Sequence, residues 1–471
     1  MLRTTGPHQA TDILPTARPL SRRHLLMWGT AALAMTGCTQ VSYEGPVAEV
    51  AGTFEQGSPT RQGATATRTW WLSFRDQSLD RLIEAGMMRN LDVRQAVEAI
   101  TEARGSAAGV AANDLPQISA NGAAERGNEG SGTTETSTAG VSVSWMIDVF
   151  GANSNARRAA AADLDAAYAS ADVARLVMQS GIANAYNDLR YQQASVALTR
   201  KSLDSRRSSL ELTRNQFEAG ATDRLAVLQA EQLVAEGEAQ LPAYETGVDQ
   251  ALARLATLTA QRVATLRPAL SRNTGQPRPR FNASVGLPAE VIRARPDLRM
   301  AESTYAAAVF NIGVAKAAFY PSLSLSGNIQ PTNISGAGNI TTWALGPALN
   351  LPIFTGGANR ANLTRAESRA VQARLAWEGA VLDAIEEVES SLAAYRRDAR
   401  NVAAQQKLVE TASEALDLTR TNFSVGAGAF NDVLDSERSY LQAQQSLALA
   451  LQQQAANFIS LSVAAGGGAQ G

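Results

Sequence analysis

ELTRNQFEAGATDRLAVLQAE, residues 211–231, returns as DLTRTNFSVGAGAFNDVLDSE, residues 417–437, at an offset of 206. Nine of the 21 positions are identical, among them Leu212/Leu418, Thr213/Thr419, Arg214/Arg420, Phe217/Phe423, Gly220/Gly426, Val227/Val433 and Leu228/Leu434. A period this long is no solenoid unit; it marks a duplicated half-molecule. In each copy a glycine separates two helical patterns. That predicts a tight turn at the end of a long helical hairpin, with Gly220 and Gly426 at positive φ.

Moving outward, residues 155–218 contain no proline and only one glycine, Gly181. Ile182, Leu189, Val196, Leu203, Leu210 and Phe217 recur there every seven residues, the spacing of packing along a left-handed supercoil. Four residues on stand Tyr186, Gln193, Arg200, Arg207 and Arg214, so a second apolar row is missing. A stripe that narrow suits a wall of helices, each touching two neighbours. After Gly220 the row resumes as Val227, Val234, Leu241, Val248 and Leu255, with Pro242 expected to kink or break the returning helix. The second half repeats the plan with Val381, Val388, Tyr395, Val402, Val409, Leu416 and Phe423, then Val433, Tyr440, Leu447 and Leu461.

Strand patterns precede each long helix. Val141, Val143, Trp145, Ile147 and Val149 alternate with Ser142, Ser144, Met146 and Asp148, a strand with one apolar and one polar face. A weaker candidate covers 115–123, and ERGNEGSGTTETSTAG (125–140) has loop composition. Leu323, Leu325 and Ile329 mark a third strand; Trp343, Leu345, Leu349, Leu351 and Ile353 mark a fourth, with Pro347 and Pro352 as irregularities. Residues 80–113 read as one helix.

Four alternating strands cannot close a barrel, and open edges are not tolerated in hydrocarbon. Either the strands lie outside a membrane, or several chains pool them. Three copies would supply twelve strands, enough for a barrel with a wet interior.

Hydrophobic content of 45% is globular, while aromatics at 6% favour helices packed through small residues. The two histidines, His8 and His24, and the one cysteine, Cys38, all fall at or before position 38. Residues 1–37 read as an export signal, with Arg22 and Arg23 before an apolar run at 25–35 too short to span a bilayer. Thr36-Gly37-Cys38 resembles a lipoprotein cleavage box, which makes Cys38 the expected lipidation site; the other reading is an unmodified cysteine beyond an ordinary signal cleavage. Ser21-Arg22-Arg23 also resembles a twin-arginine signal, and the export route stays open. Without this leader the chain holds 38 basic and 43 acidic residues, a net −5, and nothing suggests a nucleic-acid partner. It would also hold no histidine and no cysteine beyond its first residue. That excludes Cys/His zinc sites, thiol nucleophiles and histidine triads, so neither an enzyme nor a cofactor or metal site is expected. The expected organisation is a tether at 38–69, a first repeat at 70–262, a linker at 263–287, a second repeat at 288–465 and a tail at 466–471.

WWLSFRDQSLDRLI from Trp70, LPAEVIRARPDLRMAE from Leu287, IGVAKAAFYPSLSLSG from Ile312 and the two turn repeats resemble the TolC-like outer-membrane factors, in particular their NodT-type lipoproteins. The resemblance runs from Trp70 to the C-terminus. It implies a mainly α fold with a small transmembrane β part. Long antiparallel coiled helices would form a tapering periplasmic α-barrel, and four strands per chain a trimeric twelve-stranded outer-membrane barrel. The expected function is the exit duct of a resistance-nodulation-division efflux pump, with a periplasmic adaptor, an inner-membrane transporter and outer-membrane lipid as partners. A duct for protein export and a pore-free coiled-coil surface lipoprotein are the competing readings.

The resemblance also puts Asp432 and Asp435 at the closed periplasmic end. They stand three apart on one helix face, so six carboxylates would ring the mouth and favour cations. The plainer reading is two acids stabilising a helix start, with Asn431 as N-cap. The first-half equivalents, Ala226 and Gln229, cannot form such a ring. Gly220 and Gly426 would form the tips that meet the adaptor; Arg214 and Arg420 would hold those tips or be solvated charges. Some family members lock the closed end with a tyrosine and an arginine; Phe423 and Gly428 stand there in this chain. Trp145 and Trp343 are candidates for the membrane interface or for packing near the barrel base.

Overall fold

A computed structural model describes residues 41–47, 52–55, 69–128, 132–272, 274–280 and 293–467. The expected leader and Cys38 lie outside the described residues, as do parts of the tether and linker. A 3-10 turn, Trp70–Phe74, is followed by α1 (Gln77–Arg89), α2 (Leu91–Ala112), β1 (Gln117–Asn128), β2 (Thr133–Ile147), α3 (Ala152–Glu218), α4 (Arg224–Thr259) and α5 (Val263–Leu270). Then come α6 (Pro296–Ala317), β3 (Ser322–Ile334), β4 (Gly338–Asn350), α7 (Ala358–Ser424) and α8 (Phe430–Ala464). Both long helices, α3 and α7, have 67 residues, which at 1.5 Å per residue is about 100 Å of continuous helix.

The chain forms two compact units that cut across the repeated halves. One holds the strands, Ala112–Ala156 with Ile312–Leu363; the other holds Tyr43–Ala111, Arg157–Asn311 and Thr364–Gly471. The strand unit is a four-stranded antiparallel sheet in the order β1-β2-β3-β4. Its strands outrun the apolar patterns. Residues 125–128 and 133–140, expected as loop, are strand, paired from Asn128↔Thr133 to Glu125↔Thr136. Backbone pairing and β-favouring threonines override the polar composition there, and the Arg126–Glu135 ion pair at 3.3 Å reinforces the register.

The helical unit is centred on a core drawn from both halves. Ile182 and Leu189 of α3, Leu255 of α4, Val388 and Leu392 of α7 and Phe458 of α8 bury together with Trp70, Phe74 and Leu79. The rings of Trp70 and Phe74 meet Phe458 edge-on, with centroids 6.4 and 5.3 Å apart, which explains the Trp-Trp-Leu-Ser-Phe segment as packing. The Arg295–Arg299 segment is likewise a staple. Arg295 donates to the Ala464 carbonyl and pairs with Asp297 and Glu387, while Arg299 and Arg175 both pair with buried Asp172 at 2.7 Å.

Three expectations need correction. The second coiled-coil row exists, three residues on rather than four: Ala185, Thr199, Arg206 and Thr213 are buried, with Gln192 half-buried. It escapes a search for apolar residues because most of it is polar. Pro242 does not end α4; it sits on an exposed stretch, where water can satisfy the carbonyl it frees. Residues 80–113 are two helices, not one. Asn90, 3% exposed, breaks the run by accepting from the Val93 N–H at 3.0 Å while its amide donates to the Leu258 carbonyl at 2.8 Å.

Asn90→Ala removes the cap and leaves the Leu258 carbonyl without this donor, a loss of about 2 kcal/mol. Amides in the first turn of α2 and the end of α4 should exchange roughly thirtyfold faster, as read by hydrogen exchange.

Candidate functional site

The register gives the sheet two unlike faces, because directly paired residues of an antiparallel sheet project to the same side. On one side run the rows Ile118–Val143–Gly327–Leu345, Ala120–Val141–Ile329–Trp343, Trp145–Leu325–Pro347 and Ile147–Leu323–Leu349. On the other run Ser119–Ser142–Asn328–Ala344 and Gln117–Ser144–Ser326–Gly346, with the Ser119 and Ser142 hydroxyls 2.7 Å apart. The apolar rows cover seven residues of β2 and of β3, about 24 Å of strand. Trp343 is 76% exposed in the single chain. Trp145 is half-buried, its indole N–H donating to the Asp114 carbonyl at 2.8 Å. Among the described residues, β1 and β4 each pair on one side only.

The two hairpin turns have the same backbone. Gly220 and Gly426 both have φ of 74°, a region a side chain would strain. Each turn carries the same pair of bonds: Gly220 N–H to Phe217 O and Ala221 N–H to Gln216 O, against Gly426 N–H to Phe423 O and Ala427 N–H to Asn422 O. The helices that follow start differently. Asp223 caps α4 through the Ala226 N–H at 2.9 Å. Its counterpart is Ala429, which has no side-chain acceptor, so Asn431 is not the N-cap. Asp432 reaches back instead, accepting weakly from the Ala429 N–H at 3.4 Å. Asp432 and Asp435 are both exposed, and Arg438 lies 3.7 Å from Asp435.

Arg214 and Arg420 close the same bridge in each copy and end in unlike surroundings. Arg214 meets Glu231 at 2.7 Å with both side chains substantially exposed; that hydrogen bond holds the Glu231 carboxyl below its ordinary range. Arg420 meets Glu437 at 2.7 Å, and the Glu437 side chain is only 4% exposed. The same Glu437 oxygen accepts from Ser209 at 3.1 Å and more distantly from Ser205, and Arg420 also bonds the Ser205 hydroxyl. Arg206, its pKa lowered by burial, donates to the Leu233 carbonyl at 2.6 Å. The second hairpin is thus clasped to α3 through the buried Glu437 carboxylate and the half-buried Arg420, Ser205 and Ser209. Sequence reasoning missed Glu437, Ser205 and Ser209, although Glu231/Glu437 was an identical pair closing the repeat. Removing one partner of a buried pair costs far more than removing one partner of an exposed pair. Arg420→Met should loosen the start of α8 by about 2 kcal/mol, allowing for the partial exposure of Arg420, a roughly thirtyfold rise in amide exchange. Arg214→Met should change exchange at the first tip by less than about fivefold.

The sequence pattern described as "Outer membrane efflux protein" matches this chain twice, at residues 82–261 and 287–467. Nodulation protein T of Rhizobium leguminosarum bv. trifolii is 38% identical over 448 residues, spanning 93% of this chain and 96% of that protein. The outer-membrane channel OprN superposes with a TM-score of 0.83 at 26% identity, over 91% of this chain and 99% of that one. The MtrE outer membrane channel of Neisseria gonorrhoeae, in its open state, gives 0.80 at 29% identity, over 92% and 99%. With one match in each half and a relative aligned along nearly its whole length, the chain belongs to the outer membrane efflux protein family.

Proposed function

We propose that three copies of this chain assemble into one outer-membrane duct, which passively conducts small molecules handed over by a periplasmic adaptor and a resistance-nodulation-division transporter. The observation that supports this best is the two-faced sheet with a free edge on β1 and on β4. Three such sheets close into twelve strands with the apolar rows toward lipid and the Ser/Asn/Gln rows toward water. In this reading Cys38 carries the lipid that anchors each copy, and residues 70–262 and 288–465 are the duplicated units. The tips at Gly220 and Gly426 meet the adaptor, with Arg214 and Arg420 stiffening them from behind. Asp432 and Asp435 from three copies ring the periplasmic mouth and give it a preference for cations.

Purified full-length protein should run as a trimer by native mass spectrometry and give discrete conductance steps in a planar bilayer; a monomer without conductance would refute the assignment. In the channels that form, Asp432→Asn combined with Asp435→Asn should lower the cation-over-anion permeability ratio several-fold, toward unity. An unchanged ratio removes the two acids from the mouth.

A further inference from the structure

Near the tips, the two hairpins of one chain meet along a single seam. Ala226, Ala230 and Leu233 of α4 pack there against Phe430, Val433 and Leu434 of α8. Because the halves repeat at an offset of 206, every residue of this seam has a counterpart elsewhere in the chain. The counterparts of the α8 residues are Arg224, Val227 and Leu228; those of the α4 residues are Asp432, Ser436 and Ser439. Leu434 is 4% exposed and its counterpart Leu228 47%; Ala226 is buried and its counterpart Asp432 exposed. Val227 is as buried as its counterpart Val433, while Arg224 and Ser439 are exposed, so each hairpin uses one flank within the chain and leaves most of the equivalent of the other flank bare.

In a closed ring of alternating hairpins, the bare flank of the first hairpin meets the bare flank of the second hairpin of the next copy. The packing already present within the chain serves as the template for that second seam. We propose that a second copy of this chain covers these flanks, with Arg224 of one copy paired to Asp432 of the next. This rests on the trimer proposed above. The charges suit the pairing. Within its own chain Arg224 stands near Glu231, whose carboxylate is already bonded by Arg214, and Asp432 has only a weak bond to the Ala429 N–H. The seam within a chain is apolar, whereas the seam between chains opposes an ion pair and two serines to Leu228. It is accordingly the salt-sensitive one. Asp432 then serves the seam as well as the mouth, and Asp435 the mouth alone.

The test uses the full chain in native membranes, carrying Arg224→Cys with Asp432→Cys, treated with a short bismaleimide and run on a denaturing gel. A ladder of covalent dimer and trimer, missing from each single variant and from the parent with Cys38 alone, is the expected result. If native mass spectrometry shows the trimer but no ladder forms, this seam is wrong while the trimer stands; if the parent is monomeric, both fail. Charge reversal gives an independent reading. Arg224→Asp or Asp432→Arg alone should reduce trimer at low salt at least about tenfold, and the two together should restore it. A swapped pair no better than its single variants overturns the pairing.

Discussion

The backbone polar groups on the outer sides of β1 and β4 constrain everything else in this chain. Water would satisfy those groups, but it would leave a face of Val, Ile, Leu and Trp exposed across the four strands. Lipid would suit that face and leave two rows of N–H and C=O groups without partners, at several kilocalories per mole for each group. Neither solvent accommodates the sheet of a single chain. Closure by further copies satisfies both demands, and it works with four strands because the strands sit side by side with no crossover.

How much of this was legible depended on which force holds each piece. The cores of β2 and β3 were readable because one face is apolar and the alternation is strict. Their extensions were not: residues 133–140 are held by the ladder and by Arg126–Glu135, and their side chains resemble those of a loop. The same division runs through the helices. The row Ile182–Leu189–Val196 could be read from hydrophobicity, whereas its companion Thr199–Arg206–Thr213 is buried polar surface and leaves no hydrophobic trace. Asn90 was missed for a related reason, since it breaks a helix through a cap and a distant carbonyl rather than through glycine or proline.

Duplication was the strongest sequence signal, and also the most misleading about individual residues. Identical residues at the 206 offset occupy different environments. Phe217 is exposed, while Phe423 packs on Phe430 with ring centroids 5.3 Å apart. Glu231 is an exposed bridge partner and Glu437 a buried one. The repeat fixes the backbone of both tips down to the φ of the glycine. Which flank is covered follows from what the other hairpin presents, and there the sequences differ as well: Ala226 against Asp432, Asp223 against Ala429.

The buried clasp at Glu437 looks wasteful until register is considered. Phe430, Glu437, Gln444, Leu451 and Phe458 fall at sevens along α8, so a carboxylate occupies a row that is otherwise largely apolar. Replacing a buried ion pair by apolar side chains is often neutral or stabilising, so raw stability does not explain it. Much of the buried surface of α8 is alanine, at Ala443, Ala448, Ala450 and Ala455, and small similar residues distinguish poorly between axial alignments. A slip of one heptad, about 10 Å, would cost such a surface little. It would, however, carry Glu437 away from Arg420, Ser205 and Ser209 and bury a charge without partners, which is severe. The polar cluster thus sets where along α3 the second hairpin sits. In the proposed assembly, where hairpin tips would form the mouth, level tips matter more than an extra increment of stability.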